Sequence, residues 1–449
     1  MKLKRIRFSL PLAMAGVLLA ACSSGPVGGP PASEGPDPNT WRDNISGSIE
    51  VGVIPAEGTP GLAYLEKLAR EIEADYPGTK ITLTFANSEA RPALEQRWRS
   101  GDGPDVDYGM FDGTVPSQRV WANDGFLLDL KPYLDAPDPT TGKTWGESFT
   151  PAASGFMVNP DNGGVYGVPS ELSTQVLFYN KKIFAESGIK PPTTWDELMK
   201  ASADLKAAGV DPIAITGLYQ PYMGMWSDNL WLREVGWTTA NDVLVNGKGR
   251  ITDDPGFLRG LQKVQDLRDG GYLMSGFQGT DFTAAQAQFF QGKTGMILMG
   301  SWLVSEMKDV IPDDFEIGVL PFPEVAGGAG DQKAIMAAPQ QMSINAKSEN
   351  IPLALEWVRR VTSPEVQAER AEKFGELSGV VGVPSPSGVT GIDTVMADAS
   401  ALVPREFAMK DTEAYDVVYA EVTRLMFGEQ DATQTLARLD EQLRKIHKN

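Results

Sequence analysis

The chain has 449 residues, 42% hydrophobic and 22% charged, the make-up of a soluble globular protein with room for two or three domain cores. A formal charge of −19 makes nucleic acid a poor partner for the surface as a whole. One Cys and one His exclude zinc sites of the Cys/His type and leave a His-based triad only His447.

Met1 to Ala21 reads as an export signal, with Lys2, Lys4, Arg5 and Arg7 ahead of an apolar stretch, Leu10 to Ala21, too short to span a membrane comfortably. It runs into Leu19-Ala20-Ala21-Cys22 and then Ser23-Ser24-Gly25, an order that resembles the bacterial lipobox, in which the Cys is lipidated and becomes the new N-terminus. The bland alternative, a buried free thiol, has no core to enter at this place in the chain. Lipid on Cys22 would anchor the protein by burying methylenes at about 0.8 kcal/mol each. It would also rule out any disulfide, although an extracytoplasmic compartment permits them. Residues 22–40 are expected to form a tether, since Gly, Pro and Ser dominate them and offer little to bury.

Ser48 to Ile54 reads as a strand. Leu62, Leu65, Leu68, Ala69 and Ile72 then recur at helical spacing, and Lys80 to Phe85 alternates as a second strand. Strand, helix and strand with short links make a βαβ unit, which predicts a parallel sheet and the α/β class. A helix with Leu94 and Trp98 follows, then a turn at Gly101 to Pro104 and a strand from Val106 to Met110. Asp112 lies just past that strand's carboxyl end, where open α/β sheets place ligand-contacting loops. An Asp there is also an ordinary turn former or N-cap.

The stretch from Tyr166 to Leu198, YGVPSELSTQVLFYNKKIFAESGIKPPTTWDEL, organises the middle of the chain. Val176 to Tyr179 has the length and the branched and aromatic content of a buried strand, Lys181 to Phe184 makes a helical turn, and Pro191-Pro192 breaks the chain. Thr194 and Glu197 stand at capping-box spacing for the next helix, with Gly209 as its C-cap and a strand from Pro212 to Thr216 beyond. GLYQPYMGMWSDNLWLREVGW then places Tyr219, Tyr222, Trp226, Trp231 and Trp237 among Gln220, Ser227, Asp228 and Asn229. Rings mixed with planar polar groups suit a pyranose, whose axial C–H face stacks while its hydroxyls need fixed partners. Tyr222 and Trp226, nearest the loop, are expected to face a ligand; Trp231 and Trp237 read as core.

Thr280 to Trp302 carries a helix with Ala285, Phe289 and Phe290, closed by Gly292, then a buried strand from Thr294 to Met299 ending in Gly300-Ser301-Trp302. Ile317 to Pro321 and Gln341 to Asn345 read as short strands around a Gly-rich loop. Helices open at Pro352, with Leu355, Trp357, Val358 and Val361 inward, and at Ser363-Pro364-Glu365. Gly379 to Pro386 is extended, and Glu413 to Phe427 and Thr435 to Lys445 are helices.

Three of these stretches resemble the sugar-binding, maltose-binding-protein-like family 1 of extracellular solute-binding proteins of ABC importers. They are the word order of Tyr166 to Leu198, the G-PDV at Gly103 to Val106, and FFQGKTGMILMGSW at Phe289 to Trp302. The resemblance covers almost all of the chain after the tether. It implies a two-lobed α/β, periplasmic-binding-protein fold with about three interlobe crossings, near Glu171–Gln175, Ile335–Gln340 and Val381–Pro384. Residues 41–172 with 337–380 would form one lobe, and 173–336 with 381–449 the other.

The resemblance further implies ligand contacts from Asp112 on one lobe and from Trp302, Tyr222 and Tyr415 mainly on the other. In the family the Trp after the strand commonly stacks on sugar; the alternative for Trp302 is to cap the following helix against the sheet. Tyr415 matches a position that bears a stacking aromatic, and Glu57, Ser173, Gln220 and Gln340 are position-based candidates. Maltose-binding members carry a basic residue after the matching Asp, whereas Gly113 stands here, which argues against maltose itself. The expected protein is a monomeric, lipid-anchored binder at the extracytoplasmic face of the cell membrane, without cofactor or catalytic residues. It would deliver a mono- or oligosaccharide to a separate permease. Two competitors are a glycoside hydrolase, for which no motif marks a carboxylate pair, and the same fold binding a polyamine or a glycerophosphodiester.

Overall fold

A computed structural model of the protein describes residues 35–55, 57–86, 90–109, 118–138, 142–159, 162–386, 391–404 and 412–448. Its strands are β1 (Ser48–Val53), β2 (Lys80–Phe85), β3 (Val106–Gly109), β4 (Val168–Asn180), β5 (Asp211–Ala214), β6 (Thr294–Gly300), β7 (Ile317–Leu320), β8 (Ile335–Ile344) and β9 (Leu402–Pro404). They run in the order β2-β1-β3-β8-β4-β6-β5, with β7 on β4 and β9 on β8.

The βαβ unit forms as the hydrophobic spacing predicts. Thr59 caps the Pro60–Asp75 helix by accepting from the Leu62 amide at 3.3 Å, and that helix buries Leu65, Leu68 and Ile72. β1 pairs in parallel with β2 and with β3. Beyond these strands the expectation of a parallel sheet gives way to a mixed one. β8 runs antiparallel to β3 and β4, and β4 runs antiparallel to β6 and β7. A helical crossover forces the parallel pairing of the first strands, but β8 returns from much later in the chain and carries no such constraint.

β4 organises the molecule. Val168 to Thr174 pair with β8, and Gln175 to Asn180 pair with β6 and β7, so one strand passes from one group of strands into the other. It is buried along nearly its whole length, which explains why its second half reads as an unbroken apolar run. Asn180 ends it by capping the Lys181–Glu186 helix, and the Thr194–Glu197 capping box starts Trp195–Ala207 as its spacing predicts.

Two expected elements differ. The short strand placed at Gln341 to Asn345 begins at Ile335, so the supposed crossing segment Ile335–Gln340 is itself β-structure. Its Ala337-Ala338-Pro339 interior hides the strand, because small residues and a proline weaken the period-two pattern. Gly379 to Pro386 makes no strand among the described residues; its pairing is a single bridge, Phe149 to Val380. Helices Gln220–Glu234, Pro255–Asp269, Thr412–Phe427 and Ala432–His447 pack against one another beside the β5–β6 end of the sheet.

Candidate solute-binding site

Where β6 ends, four rings gather from three separated stretches. Tyr222, in the first turn of Gln220–Glu234, lies 4.7 Å from Tyr219 and 5.8 Å from Phe282 between ring centroids, in edge-to-face contacts. Its ring is 6.3 Å from that of Trp302 at 35°, and the Trp302 indole N–H donates to the Tyr222 hydroxyl at 3.1 Å. Leu218 and Tyr219 stand at the open edge, 63% and 41% exposed, while Tyr222, Phe282 and Trp302 are half-buried. Half-buried rings locked edge to face are a rigid apolar wall with usable faces.

The backbone is shaped to let the wall form. A β-carbon on Gly300 would lie 2.0 Å from Cζ3 of Trp302, so the indole rests directly on that glycine. Trp302 is then tied to the sheet: the Ser301 amide donates to the Thr174 carbonyl at 2.8 Å, and the Ser305 hydroxyl donates to the Trp302 carbonyl at 2.9 Å. Behind Tyr222, Asn229 donates to Gln175 Oε1 at 2.7 Å and so fastens its helix to β4 at the point where that strand changes partners. The Tyr419 hydroxyl donates to the buried Asp228 carboxylate, and Gly224 leaves room for the Tyr419 ring, which a β-carbon would meet at 2.1 Å.

Three residues upstream of Thr174 on β4 the chemistry turns polar. Glu171, half-buried, faces Arg370 and Glu376, and burial together with the Glu376 carboxylate pushes its carboxyl up to about 8 against the opposing pull of Arg370. Arg370, 7% exposed, pairs with Glu376 at 2.6 Å. Glu376 follows Gly375, whose left-handed backbone (φ +71°) closes the Pro364–Phe374 helix. A β-carbon on Gly375 would lie 3.3 Å from Cβ of Ser305, so this charged cluster borders the turn that begins at Trp302.

Of the residues singled out in the sequence, Trp302 and Tyr222 come together in the wall. Trp226 does not: it is 1% exposed and packs edge to face on Phe322 at 5.9 Å, so it belongs to the core rather than to a ligand face. Helical spacing explains the error, because one turn beyond Tyr222 the same helix has already passed beneath the surface. Trp231 is core as expected, whereas Trp237 is half-buried at the start of Trp237–Leu244. Tyr415 is buried against Tyr419 at 4.1 Å. The Ser173 hydroxyl donates to the Ala338 carbonyl at 3.0 Å, a bond between neighbouring strands. Gln340 is half-buried opposite Glu171 in the β4–β8 register, Gln220 is exposed at its helix start, and Glu57 is exposed in the turn after β1. Asp112 and Cys22 lie outside the described residues.

A family profile described as bacterial extracellular solute-binding protein matches residues 56–368. The chain belongs to that family. Among curated relatives, this solute-binding protein is 26% identical over 334 residues to the multiple sugar-binding protein of Streptococcus mutans, covering 74% of this chain and 73% of that one. It is 23% identical over 318 residues to the sn-glycerol-3-phosphate-binding periplasmic protein of Brucella abortus, covering 69% and 67%. Among solved structures, a chitin oligosaccharide binding protein superposes with a TM-score of 0.74 at 24% identity, covering 90% of this chain and all (100%) of that one. RafE in complex with raffinose superposes with a TM-score of 0.69 at 22% identity, covering 89% and 99%. The two-lobed periplasmic-binding-protein fold is thereby established, with β4 as a strand common to both groups of strands.

The solute-binding protein family is one of binders, not enzymes. No described helix is long and apolar enough to cross a membrane. Tyr219 and Phe282 join the wall without any local signal of a ligand role, although Tyr219 stands in the aromatic run from Gly217 to Trp237. The members of the Glu171–Arg370–Glu376 cluster lie far apart along the chain and match no local pattern.

Proposed function

We propose that this solute-binding protein binds a mono- or oligosaccharide between its lobes and hands it to the membrane permease of an ABC importer. The observation that carries this is the wall of Tyr219, Tyr222, Phe282 and Trp302, fixed by the indole-to-phenol hydrogen bond and backed by Gly300. Flat, preorganised apolar faces bordered by a few polar groups are what a pyranose requires. The names of the Streptococcus mutans relative and of the chitin oligosaccharide and raffinose binders point the same way. The relative named for sn-glycerol-3-phosphate raises a phosphorylated solute as the other reading. A phosphate wants uncompensated cations, and Arg370, the cation beside the wall's turn, is held by Glu376.

In this reading residues 41–172 with 337–380 form one lobe and 173–336 with 381–449 the other. Asp112 and Gln340 approach the ligand from the first lobe, and Trp302, Tyr222 and Gln220 from the second. Contacts from both sides exist together only when the cleft shuts, so ligand shifts an open–closed equilibrium toward closed. Lipid on Cys22 holds a monomer at the extracytoplasmic face. The tether expected over 22–40 ends short of Pro36, whose carbonyl accepts from the Tyr133 hydroxyl at 2.9 Å, so only the part before it leaves the body free to turn toward the permease.

The test is a thermal-shift panel of raffinose, maltotriose, xylotriose, chitotriose and sn-glycerol-3-phosphate. A ligand at a hundred times its Kd adds about 2.7 kcal/mol to stability. A shift with a sugar supports the proposal, and a shift with sn-glycerol-3-phosphate alone replaces the carbohydrate with a phosphorylated solute.

A further inference from the structure

Trp302 and Tyr222 are both tied to consecutive residues of one buried strand, β4. The Ser301 amide donates to the Thr174 carbonyl at 2.8 Å and the Thr174 amide donates to the Ser301 hydroxyl at 3.3 Å, so the turn that presents Trp302 is pinned from both sides. The Thr174 hydroxyl donates in turn to the Met336 carbonyl of β8 at 2.9 Å. One residue on, the Gln175 carboxamide accepts from the Asn229 side chain at 2.7 Å, and the same nitrogen of Asn229 donates to the Met225 carbonyl of its own helix at 2.8 Å. Gln175 and Asn229 are both buried. Water cannot replace a bond made there, so losing it strands a polar group.

Helical geometry converts that bond into a position for Tyr222. Tyr222, Trp226 and Asn229 recur at i, i+4 and i+7 and share one face of Gln220–Glu234. Seven residues of α-helix span about 10 Å, so Asn229 holds the helix two turns below the phenol. The other side-chain ties of this helix run elsewhere. Asp228 accepts from Tyr419, the Trp231 indole donates to the Phe257 carbonyl, and Glu234 pairs with Arg259 and Lys263. Arg233 donates to the carbonyls of Phe322, Asp331 and Ala334, between β7 and β8. Among the described residues, Asn229 makes the only side-chain hydrogen bond from this helix to a strand. On the strand side, Gln175 stands directly opposite Gly300, the glycine on which the Trp302 indole rests. Opposed residues of an antiparallel pair project to the same face. The carboxamide that Asn229 grips and the indole that Tyr222 meets therefore share one face of β4 and β6.

We propose that Gln175 and Asn229 are positioning residues of the ligand site, their amide–amide bond setting the height of the Tyr222 helix so that the phenol oxygen meets the Trp302 indole N–H. They act through the two rings and not on the ligand. The inference rests on the carbohydrate reading above for its ligand, and on the hydrogen bonds for its geometry. With the bond in place, both rings are referred to adjacent residues of one strand, Trp302 through Thr174 and Tyr222 through Gln175. Their separation of 6.3 Å, their 35° tilt and the 3.1 Å bond between them are then fixed before a ligand arrives, which spares the ligand the cost of ordering them. Without it the helix keeps its other ties but loses its reference to the sheet. A shift of about half an ångström is enough to open the indole-to-phenol bond.

The experiment observes the tryptophan indole N–H resonances of isotope-labelled protein by NMR, with that of Trp302 identified by its loss in Trp302→Phe. Tyr222→Phe removes the acceptor outright and gives the displacement that marks a broken bond. Asn229→Leu, two turns from Tyr222, should displace the Trp302 resonance in the same direction. Calorimetry with the panel sugar of largest thermal shift should then show binding weakened a few-fold. Added to Tyr222→Phe, Asn229→Leu should weaken binding little further, since both act through one hydrogen bond. Ligand-free melting curves identify any variant that has lost its fold; if Asn229→Leu has, Gln175→Met removes the acceptor instead and leaves the helix sequence intact. An unmoved Trp302 resonance in a folded variant overturns the proposal. A sugar Kd within twofold of wild type, or full additivity with Tyr222→Phe, overturns it as well. If no sugar binds the wild type, the carbohydrate reading falls, while the resonance still decides whether this bond sets the rings.

Discussion

Adding one methyl group at Gly300 should weaken ligand binding nearly as much as removing the tryptophan it supports. The β-carbon of Gly300→Ala would sit 2.0 Å from Cζ3 of Trp302 and 2.1 Å from Cη2, against an ordinary contact of 3.4 Å or more, so the ring must retreat by about 1.4 Å. That movement breaks the 3.1 Å bond to the Tyr222 hydroxyl, a net loss of about 1 kcal/mol in the empty protein. It also tilts the face that a sugar would cover. A Trp side chain carries roughly 200 Å² of surface. A ligand covering about a third of that, at about 25 cal/mol per Å², gains about 1.6 kcal/mol, a factor of about 15 in Kd. Calorimetry on Gly300→Ala should thus show Kd weakened by about tenfold, with Trp302→Ala as the limiting case. Should Gly300→Ala bind within twofold of wild type while Trp302→Ala binds weakly, the glycine does not set the ring's position and the reasoning fails.

Other substitutions test the parts behind the wall. Tyr222→Phe removes the acceptor of the indole N–H and should weaken sugar binding a few-fold while leaving the melting temperature within a degree or two, by differential scanning calorimetry. Tyr419→Phe strips a hydroxyl from the buried Asp228 carboxylate and should cost about 2 kcal/mol in urea unfolding. Gly224→Ala drives a methyl group to 2.1 Å from the Tyr419 ring and should cost about 1–3 kcal/mol by the same measurement. The Glu171 carboxyl titrates at about 8 in the folded protein against an ordinary 4.5, so the native state holds a proton that the unfolded chain has lost between those values. Its contribution to stability therefore falls as pH rises from about 4.5 to about 8, and Glu171→Gln should gain on wild type in melting temperature over that range.

What could be read from the sequence, and what could not, follows the range of each interaction. The Thr194–Glu197 capping box and the apolar spacing of Pro60–Asp75 are local and appear where their patterns put them. The length of β8 was missed because its Ala-Ala-Pro interior owes its strand character to β3, β4 and β9 rather than to its own side chains. Trp226 was misread for the opposite reason. Its composition is right for a ligand face, but the helix turns that position onto Phe322.

The site divides in the same way. Trp302 stands in a recognisable word, GSW, and Tyr222 in an aromatic-rich run, and a ring needs only a surface to be useful. Glu171 stands in PSELST, a word that says nothing by itself. Its carboxyl acquires a raised proton affinity from burial and from Glu376, which the Leu172–Leu377 bond and the left-handed turn at Gly375 bring near it, against the pull of Arg370. A charge placed on a strand is ordinarily a solvated one. It becomes chemically distinctive when the chain returns from some two hundred residues away to desolvate it, and no window along the sequence contains that event. Trp302 and Tyr222 are accordingly legible in local sequence, while the charged cluster exists only in the folded molecule.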